Sequence, residues 1–365
     1  MKVICSKEKL TDGINIVQKA VSTKTTLPIL EGILLECGDV FKMTGNDLEI
    51  GIECFVEADI RSTGAVVINS RMFGDIVRRL PDSDVLIDVN ESNMVTIECE
   101  NSRFEIKGLS SAGFPAIPLI KMENAFKVSQ KLVRDMIKQV IFAVSIDENR
   151  PILTGSLIEC KNTQLTFVAI DGFRLALRRS QVDSDEAKLS VVVPGKTLNE
   201  ISKILQPIDE EITIYSTNNQ ILFDIGKCKV VSRLLEGEYL NYRTSITDEY
   251  ETKVKVNTKD MLASIERASL IITSEEKRFP VRFAITDEKM TITSNTDLGT
   301  VKEEIRVEMT GNKVDIGFNP RYFIEALRVI EDENVNIEFA TSLGPCIIKP
   351  LEGNRYIYLI AAVRK

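Results

Sequence analysis

The stretch NPRYFIEALRVI (319–330) recurs in chemical type, though in few letters, as PGKTLNEISKIL (194–205) and as NSRMFGDIVRRL (69–80), each copy 125 residues from the next. The positions that carry the pattern are Phe73, Ile76, Val77 and Leu80 in the first copy. Leu198, Ile201, Ser202 and Leu205 take their place in the second, and Phe323, Ala326, Leu327 and Ile330 in the third. The spacing i, i+3, i+4, i+7 is the stripe of an amphipathic helix. Asn69 and Asn319 stand at N-cap positions, and Pro320 follows in a first turn. A short apolar strand precedes each helix: AVVI (65–68), SVVV (190–193) and VDIG (314–317).

Other features keep the same period. Ile87, Ile212 and Ile337 lie in the alternating runs VLIDV, ITIY and VNIEF, which predict strands with one buried face. A further helix opens each third, near 7–20, 130–142 and 258–270, and PILEGILLEC (28–37) returns as PILTGSLIEC (151–160). A large unit repeated three times predicts an α+β fold of three similar domains rather than a solenoid. The polar stretches near 121–126 and 247–254 place the domains at 1–123, 124–250 and 251–365.

Composition narrows the function. The chain of 365 residues contains no histidine, which removes the commonest general base, every Ser/His or Cys/His nucleophile pair and the usual metal ligand. An enzyme would have to use carboxylate or lysine chemistry, and no acid pair suggests one. The seven scattered cysteines include no CxxC and predict small core residues rather than a disulfide framework. MKVICSKEKL (1–10) lacks the apolar region of a signal peptide, so a cytoplasmic location is expected. No apolar run approaches a membrane span.

Charge is unevenly spread. The six helical stretches together carry +7 in a chain of formal net charge −8, leaving −15 on the rest. Arg71, Lys196 and Arg321 share one position of the repeat, and Arg78, Lys203 and Arg328 another nearly two turns on, opposite the apolar stripe. Arg79, Lys131, Arg134 and Lys138 add to this face. Asp75, Glu200 and Glu325 follow the first basic position by four residues, a spacing that suits ion pairs on a solvated face. Positive charge gathered on six helices of an acidic chain instead predicts a surface that meets phosphate, without base-reading motifs and so without sequence preference.

Two motifs fail. PGKT (194–197) resembles the end of a phosphate-binding P-loop, but Ser190 stands where that loop needs glycine, and the repeat makes the segment a helix start. Asp-Ser-Asp at 82–84 and 183–185 does not continue into a calcium loop. No cofactor is expected.

TLPILEGILLE (26–36), RPILTGSLIE (150–159), AIDGFRLAL (169–177), FNPRYFIEAL (318–327) and YLIAAVRK (358–365), in this order along the whole chain, resemble the bacterial sliding clamps, the beta subunits of DNA polymerase III. The resemblance implies the DNA clamp fold, with two helices packed on antiparallel sheets in each domain. It also implies a head-to-tail homodimer ring with helices lining the hole and double-stranded DNA inside, loaded by an ATP-dependent clamp loader. Lys24 and the basic helix positions would face that DNA. Phe104 and Ile106 would meet Leu270 and Ile271 of a second copy. A groove would receive short peptide motifs of the polymerase III alpha subunit, the clamp loader, other polymerases and repair proteins. The matching groove positions are Leu153, Ile170, Gly172, Phe173, Arg174, Leu175 and Leu177, then Leu240, Asn319, Tyr322 and Leu343, and Ile360, Ala361, Ala362, Val363 and Arg364. Leu240 stands where the family commonly has proline, Phe173 where it commonly has histidine, and Ala361-Ala362 where it has a bulkier pair that often includes proline, departures that leave the preferred partner peptides open. The resemblance implies no catalysis by the chain itself. The alternative is a clamp-like paralogue that acts as a partner scaffold.

Overall fold

The structure, a computed structural model, describes residues 1–22, 25–118, 120, 125–182, 189–272, 280–341 and 344–363. Among these, six α-helices stand with antiparallel strands: α1 (Lys7–Val17), α2 (Ser70–Arg79), α3 (Gln130–Lys138), α4 (Gly195–Ile204), α5 (Thr258–Ala268) and α6 (Pro320–Leu327). No helix among the described residues is long and apolar enough to cross a membrane.

The repeat is visible in the packing. Phe73, Leu198 and Phe323, equivalent in the three copies, are each 0% exposed. The Asn69 side chain accepts from the Met72 amide and Asn319 from the Arg321 amide, both at 3.0 Å, so donors orphaned by the helix start are satisfied as the cap positions predict. α4 begins at Gly195, so PGKT is a helix start. The first helices of the copies are shorter than their periodicity predicts. α1 gives way to a 3₁₀ turn at Gln18–Ala20, and α3 is followed by one at Ile141–Ala143. Such turns commonly tighten helix ends, and they keep Ala20 and Ala143 on the buried side.

The strands repeat their core pairs as well. Val3 opposes Ile87, Val128 opposes Ile212 and Val254 opposes Ile337, all six buried. The third copy departs from clean alternation in Asn334–Phe339, where Asn336 and Glu338 are buried too. Lys349 resolves the buried charge, holding Glu338 at 3.0 Å on the neighbouring strand.

The chain forms two compact units, Met1–Lys131 with Lys203–Leu234, and Leu132–Ser202 with Leu235–Lys365. They cut through the middle copy of the repeat because its strands continue the sheets of both flanking copies. In the first unit, Cys228–Arg233 pairs with Ile50–Val56 and completes an eight-stranded sheet beside a five-stranded one. In the second, Tyr356–Ile360 pairs with Arg174–Gln181 inside a twelve-stranded sheet.

Candidate functional sites

The basic helix positions lie on the exposed side, opposite the buried stripe, as the helical period requires. Arg71, Arg78, Arg79, Lys131, Lys138, Lys196, Lys203, Arg321 and Arg328 are exposed, and Arg134 is half-buried beside Asp135. Their freedom differs. The Arg71 side chain is 94% exposed and only grazes Asp75 at 4.0 Å. Arg321 bonds Glu325 at 2.7 Å within its own helix, and Arg328 bonds Glu266 of α5 at 2.7 Å. Arg78 is held by Asp75 at 3.0 Å and by the amides of Asn15 and Gln18. Lys24 lies outside the described residues.

A second site is built on the hairpin of Gln164–Ile170 and Arg174–Gln181 in the second unit. Asp171 closes its turn, accepting from the amides of Phe173 at 2.9 Å and Arg174 at 3.0 Å. Gly172 sits there at φ +94°, a conformation that costs a residue with a Cβ but not glycine. The period of two then sends alternate residues to opposite faces. On one face Ile170, Leu175 and Leu177 join Leu157, Val168 and Tyr242 in a buried cluster, with half-buried Ile152, Leu235, Tyr239, Ile246 and Leu359 along it. Such a cluster with partly open apolar edges is what a peptide pocket needs.

On the other face Arg174 is buried. Its guanidinium bonds Asp171 at 2.9 Å and also Glu325 and the Phe142 carbonyl, and it lies over the Tyr322 ring, 4.5 Å from the centroid. Burial pushes the Glu325 carboxyl upward, but the bonds from Arg174 and Arg321 outweigh it and hold its pKa below the usual value.

The implied groove residues therefore divide. Phe173 is 62% exposed at the hairpin tip, and Leu240 is exposed as well. Leu177, 0% exposed, is a floor rather than a wall, and Leu153 is buried too. Asn319 caps α6 near Tyr322. Ile360 is buried opposite Arg174, on the reverse face of its strand from Ile357 and Leu359 of the cluster. Ala361 donates its amide to the Phe173 carbonyl at 2.8 Å, and Ala362 bridges to Phe318, with Val363 exposed beyond. Leu343 and Arg364 lie outside the described residues.

A third feature is a pair of open strand edges. Ser102–Lys107 is the last strand of the five-stranded sheet and pairs only with Met94–Cys99 among the described residues. Its Phe104 and Ile106 oppose fully buried Ile97 and Val95, so they lie on the core side of the sheet, yet Phe104 is 40% exposed. The long strand Gly299–Gly311 pairs on both sides only in part. Its residues 307–311 bond Thr252–Asn257, whereas 299–306 have Lys289–Thr296 alone among the described residues. Leu298 enters that open edge exposed, and Leu270, 81% exposed, follows α5. The Ile271 carbonyl accepts from the Thr296 hydroxyl at 3.2 Å, tying this segment to the same strand pair.

Family models cover nearly the whole chain in three consecutive pieces: DNA polymerase III beta subunit, N-terminal domain over 1–118, central domain over 127–241 and C-terminal domain over 243–364. The chain belongs to the DNA polymerase III beta subunit family. Relatives of this beta-subunit chain include the beta sliding clamp of Bacillus subtilis strain 168, 35% identical with 100% of both chains covered. That of Halalkalibacterium halodurans is 34% identical, again with 100% of both covered. Among solved structures, the sliding clamp of B. subtilis aligns at a TM-score of 0.96 and 34% identity, covering 100% of this chain and 99% of that one. The beta subunit of Thermotoga maritima aligns at 0.93 and 30%, with the same coverage. The clamp fold, α+β with three similar domains of two helices each on antiparallel sheets, is thus the fold of this chain.

Several residues of these sites lie outside the positions that the sequence of this family member marks. Leu359, Ile246, Tyr239 and Leu235 border the apolar cluster, and only Leu359 had a signal, its alternation with Ile357. Leu298 and the 299–306 edge were equally hidden, because an unpaired edge has no local pattern that marks it.

Proposed function

We propose that the chain forms a head-to-tail homodimer ring that encircles double-stranded DNA and tethers the DNA polymerase III alpha subunit and other partners, without catalysis of its own. The single observation that carries this is the pair of open edges. Counting strands after the second helix of each copy, the third is Ser102–Lys107, Cys228–Arg233 and Tyr356–Ile360. The latter two add to the return strand of a hairpin, Ile50–Val56 and Arg174–Gln181. The corresponding return strand of the third copy is Gly299–Gly311, open at 299–306. The open outer edge of Ser102–Lys107 and the open edge at 299–306, both without a strand partner among the described residues, are the two halves of the junction that the chain makes twice within itself. Repeating it between two copies closes a ring, since a head-to-tail contact closes whenever its rotation does.

Three domains at 1–123, 124–250 and 251–365 then turn equivalent helices to one hole. The exposed arginines and lysines provide phosphate contacts that carry no sequence information, in a chain acidic elsewhere. A closed ring needs no tight grip, so modest contacts permit sliding. The apolar cluster beside Phe173 takes short peptides of polymerases, repair proteins and the ATP-dependent loader, in the cytoplasm. Burying two or three apolar side chains at roughly 1.5–3 kcal/mol each gives about micromolar affinity after binding costs, suited to exchange.

The test is retention on nicked circular DNA after incubation with a bacterial clamp loader and ATP. Protein that survives high salt on the circle and leaves when the circle is cut supports a topological ring. Loss governed by salt alone, cut or uncut, sinks it.

A further inference from the structure

The sheet face that carries the apolar cluster does not end with it. Along Gly155–Lys161 the same face bears Leu157, then Glu159, then Lys161. On the neighbouring strands Val168 gives way to Thr166 and Gln164, Leu177 to Arg179 and Gln181, and Val192 to Ser190. The registers hold these steps level: Leu157 opposes Val168 and Val192, whereas Glu159 opposes Thr166 and Ser190, and Thr166 opposes Arg179. One continuous face is therefore apolar at one end and polar at the other.

The polar end is a concavity of about 870 Å³. Tyr242 stands at the boundary and belongs to both ends, its ring in the apolar cluster and its hydroxyl donating to Glu159 Oε2 at 2.7 Å. Arg243 lies over the Tyr242 ring, 4.6 Å from the centroid, and donates to the same oxygen at 2.8 Å. Among the described residues, the charges lining this concavity are Lys161, Arg179, Arg243 and Glu159. Glu159 is the one carboxylate among the described residues that line it and already takes two donors, so these residues give the concavity a surplus of positive charge in a chain of formal net charge −8.

We propose that this shelf selects partner peptides in which acidic residues flank the apolar anchor, the anchor seated on the cluster beside Phe173 and the acidic flank on Lys161, Arg179 and Arg243. The proposal rests on the peptide-groove reading above and adds to it the charge of the partner. A shelf directly continuous with the anchor site makes the flank contact intramolecular once the anchor is bound, so weak, exposed ion pairs still count. Their strength falls with salt, whereas apolar anchoring does not.

The experiment uses the full chain and fluorescein-labelled peptides with a common leucine–leucine–phenylalanine anchor. The flank, on either side, is three aspartates, three asparagines or three lysines. The expected result is that one aspartate-flanked peptide binds about tenfold tighter than its asparagine twin at low salt, the lysine twin being the weakest, with the gap closing near half-molar salt. Arg179→Gln combined with Lys161→Gln should remove the gap and leave the asparagine-flanked peptide unchanged. Arg243→Gln, which also disturbs Glu159, is judged only after its thermal midpoint matches the parent. Equal binding of aspartate and asparagine twins, with both weakened by Phe173→Ala, would overturn the shelf while the groove stands. Binding of no anchor peptide, whatever its flank, would overturn the groove and the shelf together.

Discussion

Glu325 holds Arg321 of its own helix through Oε1 at 2.7 Å and Arg174 of the hairpin strand through Oε2, so one carboxylate joins an exposed basic helix position to the underside of the candidate groove. Arg174 has little other compensation for its buried charge than this carboxylate, Asp171 and a carbonyl. Removing a partner from such a site leaves a charge stranded.

Glu325→Gln is therefore expected to lower stability near neutral pH by about 1–3 kcal/mol. The Glu325 carboxyl is lowered from its ordinary 4.5, so the stability it adds is fully present above that value and is lost as pH falls through the lowered one. Urea unfolding at pH 7 should separate the variant from the parent, and the gap should narrow as pH falls through the lowered value. A gap that persists unchanged in acid would show that packing, not charge, sets it.

Exposure ranks the basic positions. Arg71, almost unpaired, should lose more on substitution than Arg328, which must first leave Glu266. On short linear duplex, Arg71→Ala should reduce the salt slope of binding by about 1 and weaken all sequences alike. Anisotropy titrations over a range of salt check this, and equal slopes for Arg71→Ala and the parent would remove Arg71 from the interface.

Phe104 and Leu270 distinguish an open edge from an ordinary surface. Each is a large apolar group left in water on a single chain. Losing its burial costs roughly 1.5–3 kcal/mol, so Phe104→Ala and Leu270→Ala should each weaken self-association by about ten- to hundredfold without lowering the melting temperature of the monomer. Sedimentation over a dilution series reads this directly. Dimers unaffected by both changes would locate the contact elsewhere.

Phe173 and Leu177 should part in the opposite sense. Phe173→Ala touches an exposed tip and is expected to weaken anchor peptides with little change in stability. Leu177→Ala opens a cavity in a closed core and should cost about 2–5 kcal/mol of stability. Calorimetry paired with peptide titration separates the two effects.

The cysteines should be silent. All seven are buried, and burial pushes the thiols of Cys37 and Cys54 up to about 11 and those of Cys5 and Cys228 to about 12. Since the thiolate is the reactive form, a thiol reagent should modify the native chain slowly and all seven sulfurs quickly in denaturant. A fast-reacting thiol in the native chain would contradict this.

The sequence alone determined the three-fold repeat, the buried stripe of each second helix and the exposed basic positions opposite it. All of these follow from a period of 3.6 or 2 acting within a dozen residues, as Phe73, Leu198 and Phe323 show. Caps such as Asn69 and Asn319 were legible for the same reason. That Arg174 and Leu175 take opposite faces follows from the same period of two, but only the tertiary structure decided what those faces meet, Glu325 on one and Tyr242 on the other. It also decided that Ser102–Lys107 and 299–306 each keep one side without a strand partner among the described residues, whereas Cys228–Arg233 and Tyr356–Ile360 are paired on both sides. Strand partners lie as far apart as Arg174 and Ile360, and whether an edge is covered depends on which distant segment arrives there. No local pattern in the chain carries that information.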